Sequence, residues 1–87
     1  MNVFFTGTVE GGFEVVKARV EEDMKVALGS FVSEYKLADL GDGEFMMCAN
    51  VTDFEKMGAF MSNPERMQWD TDNGAVYKSY TLSEMDG

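Results

Sequence analysis

The chain has no histidine, one cysteine and one proline in 87 residues, and only seven lysines and arginines against sixteen aspartates and glutamates. Each shortage excludes something. Without histidine, most general acid–base and triad schemes fall away. Histidine-ligated zinc, haem and non-haem iron go with them. A single cysteine, Cys48, allows no internal disulfide and fits a reducing compartment. The net charge of −9 argues against nucleic acid, because binding phosphate requires lysine and arginine to displace counterions. The same balance argues against anionic membranes, and the acidity serves solubility. No apolar run approaches about 18 residues, so no membrane-spanning helix is expected. The opening MNVFFTGTVEGG lacks the basic start and apolar block of a signal peptide. The expected location is therefore cytoplasmic.

A chain of this length forms one domain, expected over 1–87, with a loose tail at 83–87. A domain so small buries roughly 60% of the surface its unfolded form exposes. With disulfides and histidine-bearing metal sites excluded, association with a second copy is the remaining common route to stability.

The periodicities place the elements. Asn2–Val9, rich in Val, Phe and Thr, reads as a strand. Phe13, Val16, Val20, Met24, Ala27 and Leu28 form one stripe of an amphipathic helix, with Glu14, Arg19, Glu21, Glu22 and Lys25 opposite and a stop at Gly29. Phe31–Leu40 and Glu44–Val51 read as a hairpin around Gly41-Asp42-Gly43. Thr52 and Glu55 suggest a capping box that opens a helix to about Met61. Asn63-Pro64 stops that helix and starts another, because proline suits a first helical position and asparagine can cap it. Asn73-Gly74 turns the chain into a last strand, Ala75–Leu82. The order β-α-β-β-α-β is the ferredoxin-like α+β arrangement, a four-stranded antiparallel sheet with helices on one face.

Alternation assigns the two faces of that sheet. Val3, Phe5, Gly7, Val9, Phe45, Met47, Ala49 and Val51, with Val76, Lys78, Tyr80 and Leu82, are expected under the helices. The other face carries Phe4, Thr6, Val32, Met46, Cys48 and Tyr77. These six form the expected homodimer interface, since a large apolar patch marks a contact and homo-oligomers favour two-fold symmetry.

The opening strand NVFFTGTV, the turn LGDGEF and the block FMSNPERMQWDTDNGAVYKSYTL resemble the dimeric α+β barrel superfamily, which includes antibiotic-biosynthesis-monooxygenase-like small proteins. The likeness extends over nearly the whole chain through element order. It implies sheet-to-sheet pairing of two copies, and it brings in cofactor-independent oxygenases among the superfamily's activities. No catalytic motif carries over residue by residue, and the missing histidine departs from members that use one.

Other chemistry is weakly signalled. Mid-strand Cys48 reads as a small packed hydrophobe, and Glu34 beside Lys36 as an edge-strand charge pair. Asp70-Thr71-Asp72-Asn73-Gly74 begins like a calcium loop, but its glycine comes one position early and Thr81 replaces the closing glutamate. No metal site, phosphate loop or cofactor is expected.

What stands out is eight methionines, a residue that fills irregular gaps and lines adaptable apolar pockets. Met47, Met57, Met61 and Met67, with Phe5, Phe54, Trp69 and Tyr80, are expected around a cleft between helices and sheet. Tyr35 adds a polar end. The broken helix at Asn63-Pro64 would cover that cleft. The expected ligand is an apolar molecule, fatty-acyl-like or aromatic. A cofactor-free monooxygenase or isomerase also fits, as does a structural or protein-interaction module without ligand. Both an enzyme and a non-enzyme fit this residue set.

Overall fold

A computed structural model describes residues 1–83 and Met85. Of the expected loose tail, residues 84, 86 and 87 lie outside the described residues. The elements are β1 (Val3–Thr8), α1 (Phe13–Val26), a 3-10 turn (Leu28–Ser30), β2 (Val32–Gly41), β3 (Glu44–Val51), α2 (Phe54–Met61), α3 (Pro64–Asp72) and β4 (Val76–Thr81). The strands form one antiparallel sheet in the order β2-β3-β1-β4. This is the ferredoxin-like α+β fold.

Local chemistry accounts for most boundaries. Asn63 caps α3, its Oδ1 accepting from the Glu65 amide at 2.9 Å, and Pro64 takes the first turn. The β2–β3 turn bends through three positive φ angles, at Gly41, Asp42 and Gly43. Two expected boundaries move. Asp53, not Thr52, caps α2 by accepting from the Lys56 amide at 3.1 Å. A carboxylate one residue nearer the helix wins because it faces the exposed amides directly. The first helix ends at Val26, and Gly29 sits inside the 3-10 turn rather than acting as a left-handed cap.

The core lies between helices and sheet. Phe5, Phe45, Met47, Ala49 and Val51 from the sheet meet Val16 and Val20 of α1, Leu28 of the 3-10 turn, and Met57 of α2. The expected faces hold for β1 and β3 and fail in two places. Val32 is 2% exposed and pairs with Val51 on the helix side. A bulge between Val32 and Glu34 changes the phase, so only from Glu34 onward do alternate residues reach the open face. In β4 the phase is reversed: Tyr77 lies opposite Gly7 and Ser79 opposite Phe5, on the helix side, while Val76, Lys78 and Tyr80 share the open face with Thr8, Thr6 and Phe4. Val76 is 71% exposed. Because β4 is an edge strand, its more apolar set is not forced inward, and Tyr77 turns in to reach Phe5 and Asp70.

Gly7 makes this register possible. A β-carbon there would collide with the Val76 carbonyl and the Tyr77 side chain. Gly7→Ala is expected to cost about 1–3 kcal/mol through overpacking. Gly58→Ala, in α2 where an added methyl meets nothing within 4 Å, is expected to gain about 0.5–1 kcal/mol. Urea unfolding midpoints of the two variants should move in opposite directions.

Candidate functional site

The helix break at Asn63-Pro64 sets α3 beside α1, over the sheet. Between them lies a cavity of about 50 Å³. Its walls are mainly apolar: Phe5, Phe45 and Met47 from the sheet, Val16 and Val20 from α1, Met57, Phe60 and Met61 from α2, and Trp69 from α3. Arg19, Asp23, Arg66 and Tyr77 break that apolar lining.

These four residues belong to one charged network. Arg66 Nη1 donates to Asp23 Oδ2 at 2.7 Å, and Arg19 Nε stands 3.1 Å from Asp23 Oδ1. Arg66 Nε lies 3.6 Å from Asp70 Oδ1, and the Tyr77 hydroxyl donates to Asp70 Oδ2 at 3.0 Å. The Arg66 guanidinium lies 4.9 Å from the centre of the Trp69 ring and 5.7 Å from that of Phe60. Arg19 lies 5.7 Å from the Trp69 centre. Such contacts hold guanidiniums over aromatic faces while their charge is partly desolvated.

Burial decides the titration of this network. It pushes the Asp23 carboxyl above its ordinary value of 3.8, and the charges of Arg66 and Arg19 offset only part of the rise. Burial also lifts the Tyr77 phenol above 10.0. Arg66 opposes that shift, and the bond to Asp70 adds to it. Tyr77 is therefore a protonated hydrogen-bond donor at neutral pH.

Of the residues expected around the cleft, Phe5, Met47, Met57, Met61 and Trp69 line this cavity. The others lie elsewhere. Tyr35 flanks a separate surface depression with Phe13 and Leu37. Phe54 (53% exposed) and Tyr80 (49%) flank another beside β4. Met67 is 56% exposed on α3. Tyr80 misses the cavity because of the reversed phase of β4.

The expected interface residues Phe4, Thr6, Met46 and Cys48 share the open face and are half-buried. Val32 and Tyr77 are on the opposite side, for the reasons given above. Cys48, expected to be buried, is only partly so, because nothing among the described residues covers this face. Glu34 is exposed on the β2 edge, and among the described residues it makes no ion pair.

Sequence reasoning missed Asp23, Arg66 and the inward turn of Arg19. A signal for Asp23 was present: it falls three residues after Val20 on the apolar stripe, where a carboxylate needs a buried partner. Arg66 had no comparable signal, since α3 carries only Met67 and Trp69 as large apolar residues and no continuous apolar stripe.

No family model and no curated protein sequence matches the chain. Among solved structures it is similar to an antibiotic biosynthesis monooxygenase-like protein from Deinococcus radiodurans. The TM-score is 0.51 at 15% identity, over 98% of this chain and 96% of that one. The likeness bears out the ferredoxin-like α+β fold read from the sequence.

The network makes two predictions. Asp23→Ala leaves Arg66 half-buried without its counter-charge and should cost about 3 kcal/mol, whereas Asp23→Leu with Arg66→Met should be near neutral, because desolvation offsets most of what a buried ion pair gains. Chemical denaturation of the three chains checks this. The second concerns pH. Folding raises the Asp23 pKa, so between about 3.8 and the folded value the native chain binds more protons than the unfolded one. The stability tied to this carboxyl is complete below that window and is lost as pH rises through the folded pKa. Asp23→Asn should remove that downward slope from a stability–pH profile.

Proposed function

We propose that the protein is a homodimeric small-molecule-binding domain whose cleft between helices and sheet takes an apolar ligand, with α2 and α3 as its movable roof. The observation that carries this reading is the cavity itself. Met57, Met61, Phe60 and Trp69 surround open space beside a few polar groups, the composition that ligand pockets have. At about 50 Å³ the space is smaller than the roughly 150 Å³ apolar cavity that takes up benzene. A fatty-acyl chain or an aromatic ring therefore enters only if the roof lifts. The roof is built for that: none of the nine residues of α3 is fully buried, and in α2 only Met57 is. Elements with few buried anchors open at low cost.

The dimer reading rests on the open face of the sheet. Phe4, Met46 and Cys48 lie side by side there. Tyr80 packs 6.2 Å from Phe4 between ring centres, and Leu40 and Val76 stand exposed. A second copy laid against this face would shelter it, and pairing suits the cytoplasmic, self-associating protein expected from the sequence.

A cofactor-independent monooxygenase is the second reading, favoured by the fold of the Deinococcus structure and by a half-buried phenol, Tyr77, beside the cavity. Oxygen uptake with electron-rich aromatic substrates separates the two readings.

Light scattering at micromolar concentration should give twice the 9.7 kDa chain mass, and Met46→Glu should return it to the monomer. A monomeric wild type would contradict the dimer. Native mass spectrometry of protein purified from cells, with a thermal-shift panel of lipids and aromatics, should show a bound apolar molecule or a raised melting temperature. Neither effect across the panel would contradict binding.

A further inference from the structure

The polar wall of the cavity has a definite charge and a definite set of unused groups. Arg19 and Arg66 supply two positive charges, and Asp23 and Asp70 supply two negative ones, all within one chain of contacts. The sum is zero. Yet Nε of Arg19, Nε of Arg66 and Oδ1 of Asp70 are buried without a hydrogen bond among the described residues, although Arg19 Nε stands 3.1 Å from Asp23 Oδ1 and Arg66 Nε 3.6 Å from Asp70 Oδ1. Both arginines line the cavity. A buried N–H without a well-placed acceptor is destabilising, and here two such donors stand against one unpaired acceptor, so the wall favours a ligand oxygen that reaches them.

We propose that the cleft selects apolar ligands carrying a neutral oxygen acceptor, such as a ketone or amide carbonyl, and discriminates against carboxylates. The inference rests on the apolar-cleft reading and sharpens it, because it separates fatty acids from neutral carbonyl compounds. Charge balance carries it. A carboxylate entering this wall would be a third anion facing two cations already engaged, and an uncompensated charge in a half-buried site is strongly disfavoured. A carbonyl accepts from the two Nε–H groups that make no hydrogen bond and leaves the balance at zero. The rise of the Asp23 pKa agrees with this: two arginines do not fully hold even the carboxylate already present. Trp69 forms part of the same wall, so the ligand's apolar body meets an aromatic surface beside the donors.

Trp69 also supplies the readout, since it is the only tryptophan and its indole N–H should give one separate NMR signal. Acetophenone, benzoate and ethylbenzene present one ring with a neutral carbonyl, a carboxylate and no polar group. Titrated at pH 7.5 against the full chain, acetophenone should shift the Trp69 signal saturably, with a Kd at least tenfold below that of benzoate. Asp23→Asn removes one negative charge and should narrow that ratio severalfold. Asp70→Asn, whose side chain is more exposed, should do the same and keeps the test intact if Asp23→Asn fails to fold. Benzoate binding as tightly as acetophenone in the wild type would overturn the inference. Binding of ethylbenzene alone would also overturn it while leaving the apolar cleft standing. No response to any of the three would overturn both.

Discussion

The contact between Arg66 and Asp23 holds the upper layer of this molecule in place. It joins α3 to α1 at 2.7 Å, and the same guanidinium lies over Trp69 and approaches Asp70. Without it α3 has little to hold it down, because none of its residues is fully buried. The sheet and α1 are secured differently, by Phe5, Val16, Val20, Met47 and Ala49 packed in the core. Two kinds of adhesion therefore meet in one small domain. The lower layer depends on apolar burial, which is cooperative and hard to open locally. The roof depends on a desolvated charge pair, which contributes little net stability but penalises the loss of either partner.

That division fits the proposed function. A ligand cleft needs a wall that gives way, and α3, with no fully buried residue, can move at lower cost than the packed sheet and α1. The balanced charges explain how the wall can be polar without acting as a fixed anion or cation site. The second copy assigned to the open face would leave this arrangement untouched, because the dimer surface and the cavity lie on opposite sides of the sheet.

The fold was legible where burial was strong. The alternation in β1 and β3 predicted their faces because Val3, Phe5, Phe45, Met47, Ala49 and Val51 form an unbroken apolar set, whereas Phe4, Met46 and Cys48 are mixed with Thr6, Thr8, Glu44 and Asn50 on the other side. The 3.6-residue stripe of α1 predicted Val16 and Val20, and Asn63-Pro64 marked the break that creates the roof. Legibility failed at the edges. Nothing in the composition of β2 announces a bulge near Ser33, so Val32 was assigned to the wrong face. In β4 the more apolar set, Val76 and Tyr80, points outward, because an edge strand is held by its register with Gly7 and not by its hydrophobicity. The apolar half of the site was read from methionine and aromatic spacing. The polar half was not, because pairing between Asp23 and Arg66 spans 43 residues and no local pattern encodes it.

The central claim is that the roof opens separately from the sheet, with the Arg66–Asp23 contact as its latch. Native-state hydrogen exchange followed residue by residue tests it most directly. The amides of Met67–Asp72 should exchange through an opening cheaper than global unfolding, while those of β1 and β3 exchange only when the whole chain unfolds. Asp23→Asn should make the first opening cheaper still, by more than it lowers global stability. If α3 and the sheet exchange with one common free energy in both chains, the roof is part of the core and the account is wrong.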